Sequence, residues 1–168
     1  HAETEGGEIV AVDYGPRLWA GSVQIRPYYH GDADEVASKL EVLTSAAASF
    51  LVSPQWRSGP QSDPLGAGLV GSTPQISVIG PDARQITVDG LPNGYIFTAG
   101  DFLSFQYGTA PVRYAFHRIF SGGVVALGAV ELVVATPIRA GAAVGAAVSF
   151  VDPVCKAKIV PQSYTPAS

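Results

Sequence analysis

The chain has 168 residues and a net charge of −4; 47% of its residues are apolar and only 14% are charged. That length suits one large domain or two small ones, and so much apolar content with so little charge excludes intrinsic disorder. An acidic balance argues against a general nucleic-acid binder, and the scarcity of charge suits a surface partly covered by partners.

Glycine (19) and proline (13) punctuate the sequence at short intervals, the turn chemistry of a β-rich protein with many reversals. A first strand is expected over residues 9–14, broken by Gly15-Pro16, and a second over 18–28. In the second, Trp19, Val23 and Ile25 share one parity while Ser22, Gln24 and Arg26 share the other, the period of a half-buried strand. One helix follows. Asp32 is placed as its N-cap and Glu35, three residues on, completes a capping box. Val36, Leu40, Leu43, Ala47 and Phe50 then recur as one apolar stripe, so the helix is expected over about 32–50, with Pro54 beyond its end.

Residues 53–75 read as an irregular Pro/Gly/Ser-rich connection. Short strands are expected after it, at 75–79, 85–88, 95–98, 102–107, 112–120, 123–127, 131–135 and 146–151, with one more at 155–160. Such a series reads as a small barrel or sandwich. The apolar run 122–137 is too short for a membrane span and carries Glu131. A lone Cys155 excludes an internal disulfide framework. No basic-then-apolar signal pattern stands at the start, and a chain that opens at His1 without any Met is expected to have lost or lack an upstream piece.

The sequence offers little chemistry. Gly66-Ala-Gly-Leu-Val-Gly71 matches GxGxxG in form, but Pro64 precedes it and Ser72-Thr73-Pro74 follows where a helix should start, so it reads as a turn. His1, His30 and His117 have no ligand spacing, and one cysteine builds no zinc cluster. His117 falls opposite Tyr114 and Phe116 in strand parity and reads as solvent-facing or as an interface residue. Asp32, Asp34 and Glu35 suit a helix N-terminus. Asp101 after Gly100, and Asp152 before Pro153, read as turns. No catalytic set, cofactor or metal site is expected. Most aromatics are expected in the core, including Phe102, Phe105, Tyr114 and Phe116, while Trp56, Tyr107 and His117 are the candidates for interface or glycan contacts.

The order of the landmarks says more. Trp19-Ala-Gly-Ser-Val precedes the amphipathic helix, then come Ala48-Ser-Phe-Leu-Val, Ser62-Asp-Pro-Leu-Gly, Leu91-Pro-Asn-Gly-Tyr, Thr98-Ala-Gly-Asp-Phe-Leu-Ser-Phe, Tyr114-Ala-Phe-His-Arg and Thr136-Pro-Ile-Arg. This pattern, over residues 8–160, resembles the distal tail proteins at the tail tip of long-tailed, siphovirus-type bacteriophages and prophages. The resemblance implies a structural virion protein, assembled in the bacterial cytoplasm, that forms a ring, commonly a hexamer, joining the tail tube to the baseplate hub or fibres. It implies a mainly β fold: a tail-tube-like β-sandwich or barrel from residues 1–60 and 149–168, with the helix on its flank, and an inserted small β-barrel over 64–148. Its partners would be copies of itself, the tube protein, the hub and fibres, with no membrane and no sequence-specific nucleic acid. An acidic lumen would let DNA pass without adhering. The alternative is a carbohydrate-binding β-module for host-surface recognition. A third class, an envelope hydrolase using Asp101 or Glu131, lacks a defined carboxylate pair.

Overall fold

The computed structural model describes residues 2–3, 9–10, 19–22, 29–45 and 48–160. It is mainly β. Two short strands, β1 (Ala2–Glu3) and β2 (Ile9–Val10), pair antiparallel, and the helix α1 (His30–Leu43) follows. Next come β3 (Phe50–Val52), β4 (Gln75–Ile79), β5 (Gln85–Asp89), β6 (Phe102–Tyr107), β7 (Arg113–Ser121), β8 (Val130–Val134), β9 (Val148–Ser149) and β10 (Cys155–Ala157).

Six strands form one antiparallel sheet in the order β4-β5-β8-β7-β6-β9, and β3 pairs with β10 as a separate ribbon. Local chemistry sets the reversals. Between β4 and β5, the Gly80 N–H donates to Gln85 O, Pro81 pre-sets the bend, and the Asp82 carboxylate accepts from the Arg84 and Gln85 N–H groups. Those two backbone donors hold the Asp82 carboxyl below its ordinary range. Bulges interrupt β4 at Ile76/Val78 and the β7–β8 ladder at Ile119/Ser121, which adds twist. At one end the sheet's outer strands meet: Gln75 bridges Ala147, Ile76 N–H donates to Ala146 O at 3.0 Å, and Gly145 N–H donates to Ile76 O at 2.7 Å. The sheet therefore curls until its edges touch over this short stretch.

The core lies inside that curl. Ile76, Ile86, Val88, Leu103, Ile119, Leu132 and Val134 are inaccessible or nearly so, each from the inward parity of its strand. Phe97 packs on Phe150 with ring centroids 4.3 Å apart. Gly122 lets the chain cross close to this pair, since a Cβ there would lie 2.0 Å from Phe97 O. Contacts of this core extend on either side of residues 64–148. Phe150 is buried in its core, Val151 packs beside Gly66, and Asp152 N–H donates to Ser58 O.

Several expectations need correction. The helix spans His30–Leu43 rather than about 32–50, and Phe50 belongs to β3, where Phe50-Leu51-Val52 pairs with β10. Phe-Leu-Val is a strand-forming run, and a sheet partner overrides the helical spacing that includes it. Tyr29 occupies the N-cap position and no side chain caps the helix. Asp32 instead lies inside the first turn, where its charge faces the positive end of the helix dipole, and Glu35 is spent on an ion pair with Lys39 one turn on. Val36, Leu40 and Leu43 are half-buried, none of them core, and Ala47 lies outside the described residues. Residues 95–98 and 123–127 make the isolated bridges Ile96–Val124 and Ala126–Ala129 rather than strands. Of the 18–28 strand only residues 19–22 are described, without regular structure; Val23 and Ile25 lie outside the described residues, as do residues 11–14 of the first.

Candidate functional site

Asp101 is the most constrained polar group. It is fully buried, and its Oδ1 accepts the Gln61 N–H at 2.8 Å while Oδ2 accepts the Thr98 N–H at 2.8 Å and the Thr98 hydroxyl at 3.2 Å. Arg57 approaches Oδ1 at 3.5 Å and donates to Gly100 O at 3.1 Å. A carboxylate sealed from solvent and saturated by donors has no lone pair facing a substrate. Asp101 therefore clasps residues 57–61 to the β6 turn, and Glu131 stands exposed on β8.

The glycine-rich stretch is equally occupied. Gly66, in the left-handed region at φ 69°, leads into a three-residue 3₁₀ turn, Ala67–Leu69. The N–H groups of Ala67 and Gly68 point at the Asp63 carboxylate, at 3.0 and 2.7 Å. The chain's own carboxylate fills the place a phosphate would take. Tyr95 donates its hydroxyl to the same carboxylate at 3.3 Å, and burial together with the nearby negative charge pushes the phenol's pKa upward.

The aromatic candidates separate along the β6–β7 hairpin. Its inward parity carries Leu103, Phe105, Tyr107, Ala115, His117 and Ile119. Tyr107 and His117 are thus core residues rather than surface contacts. His117 stacks on Phe105 and places Nδ1 3.1 Å from the Thr136 hydroxyl; burial, with the positive charge of Arg139 adding, pulls its pKa down to about 4. The parity of this strand is opposite to the expected one, because Tyr114 and Phe116 take the outer, half-exposed face. There Phe102 stacks on Phe116 at 5.1 Å, and Trp19 and Trp56 meet Phe102 edge-on at 6.2 and 6.5 Å. Trp56, the remaining candidate, is 78% exposed.

At the far end of the same hairpin a cleft of about 380 Å³ opens against β10. Ser49, Tyr107, Pro111, Val112, Arg113, Tyr114, Arg139, Lys156 and Lys158 line it. Four of the chain's ten Lys and Arg residues thus share one cleft, and no carboxylate lines it among the described residues. Sequence reading missed this site because the cations come from three distant segments. The one local signal is Lys156-Ala-Lys158, whose spacing of two puts both on one face of a strand. Among the described residues no group of His, Cys, Asp and Glu is arranged for a metal, and no helix is long and apolar enough to cross a membrane.

Compared with family models, curated proteins and solved structures, the chain matches none, so no enzyme family or fold is indicated.

Proposed function

We propose that this chain is a structural subunit of a phage tail tip, assembling with copies of itself into a ring between the tail tube and the baseplate hub or fibres. The observation that supports it best is the apolar outer face of the β6–β7 hairpin. Trp19 and Trp56 stand 52% and 78% exposed around Phe102 and Phe116, a concentration of aromatic area of the kind that anchors protein interfaces. Head-to-tail contacts through such a patch close into a ring when the rotation per subunit fits. The landmark order from Trp19-Ala-Gly-Ser-Val to Thr136-Pro-Ile-Arg supports a tail-tip identity for the assembly. In this reading the curled six-stranded sheet is the small β-barrel, extended by residues 57–63 and 149–154, and the flanking segments with α1 belong to the ring-forming, tube-like domain. The protein would act in the virion after assembly in the host cytoplasm.

The test is the native mass by light scattering, followed by negative-stain imaging alone and with tail tube protein. Rings with a central hole, lost in Trp56→Ser, are the expected result. A monomer that neither self-assembles nor joins tubes would overturn the reading.

The same exposed indoles favour a second reading, a carbohydrate-binding module, since flat aromatic faces also stack on sugar rings. Glycan affinity that drops in Trp56→Ala while the chain stays monomeric would select it.

A further inference from the structure

We propose that the cationic cleft between the β6–β7 hairpin end and β10 binds a phosphate-bearing ligand. The charge distribution is the first argument. Arg113, Arg139, Lys156 and Lys158 line one cleft, four of the ten Lys and Arg residues in a chain that carries fourteen Asp and Glu. Like charges gathered in a concave site repel one another unless an anion sits among them. Elsewhere among the described residues, Lys39 pairs with Glu35, Arg57 with Asp101, and Arg118 lies over the Phe102 ring. Among the described residues, Arg113, Arg139 and Lys156 make no ion pair with a carboxylate.

The chemistry of the lining narrows the ligand. Guanidinium forks grip the oxygens of phosphate in pairs, and ammonium groups add point charge. A phosphate monoester carries up to two charges and so neutralises more of this site than a carboxylate does. The cleft's volume of about 380 Å³ lies in the range of small-molecule sites, and Tyr107 and Tyr114 supply apolar wall beside the cations. A long polyanion such as nucleic acid is disfavoured by the chain's net charge of −4. The site therefore takes one discrete phosphate, free or carried on a small polyol.

Calorimetry on the full chain at low salt tests this, titrating inorganic phosphate, glycerol 3-phosphate and acetate at matched ionic strength. Saturable phosphate binding, tighter than acetate by roughly tenfold, is expected. Arg113→Gln and Arg139→Gln should each weaken it by roughly tenfold or more, Arg113→Lys by less, and exposed Arg84→Gln not at all. Amide shifts around Tyr107 and Arg113 in NMR spectra would report the site in any variant of reduced stability. Equal affinity for both phosphates identifies free phosphate as sufficient, and tighter glycerol 3-phosphate binding identifies the polyol-borne form; either supports the proposal. Absence of saturable binding, equal affinity for acetate, or loss in Arg84→Gln equal to that in the cleft variants would overturn it.

Discussion

The curled sheet with its clasp and the helix α1 are stabilised in different ways, although both come from apolar periodic sequence. In the sheet, inward residues such as Ile76, Ile86, Leu103 and Leu132 have no exposed surface, and the buried Asp101 carboxylate has four donors around it. In α1 no described side chain is buried: Val36, Leu40 and Leu43 are half-covered, as are Ala33 and Ala37 beside them, and Val42 is exposed. Periodicity alone therefore does not tell a core stripe from a docking stripe. The distinction lies in what closes over the stripe, and over α1 the cover is partial.

The contrast breaks hardest at Asp101. Asp101→Ala strands the Gln61 and Thr98 N–H groups and leaves Arg57, which is only slightly exposed, without its counter-charge. Removing one side of such a buried arrangement costs about 3 to 5 kcal/mol, read from urea unfolding. Arg57→Gln should cost less, about 1 to 2 kcal/mol, because its 3.5 Å contact is longer and the backbone donors to Asp101 remain. Equal losses would mean that the ion pair, rather than the backbone hydrogen bonds, closes the clasp.

This clasp marks the boundary of what the sequence discloses. The strands at 75–79 and 102–107 are legible to the residue, because alternation and turn residues are local. The turn character of Asp101 is legible too, from Gly100 beside it. Its union with residues 57–61 is not, since forty residues separate the partners. Strand parity in β7 misleads for a physical reason: Tyr114 and Phe116 outweigh Ala115 and His117 in hydrophobicity, yet the aromatics serve the outer face and the small and polar residues fill the core. The cationic cleft is invisible for the same reason as the clasp. Only Lys156 and Lys158 are neighbours in the chain.

His117 provides the second, smaller probe of the packed region. Its pKa falls from the ordinary 6.5 to about 4 on folding, so the unfolded chain binds the proton more readily. Below the unfolded value the unfolded state gains protons that the native state does not. Stability from this group is therefore complete above pH 6.5 and is lost as pH falls toward 4. The loss should reach about 2 to 3 kcal/mol at the bottom of that window. His117→Gln should flatten the curve there, in urea midpoints measured at half-unit pH steps. An unchanged slope would show that His117 is solvated in the folded protein.

The helix should give the smallest stability effects and the sharpest functional ones. Glu35→Gln removes an exposed pair with Lys39 and should leave the melting temperature where it was. Leu40→Ser deletes the centre of a half-covered stripe, and in the monomer it should cost no more than about 1 kcal/mol. If α1 docks on a neighbouring subunit, the same substitution desolvates a serine in an apolar interface and should abolish rings while the monomer remains folded. Loss of monomer stability comparable to that of Asp101→Ala would place the stripe in the core of its own chain, and the two regions would then be stabilised in one way. A Leu40→Ser protein that melts like the parent and no longer assembles would establish that the helix carries its apolar face for a partner.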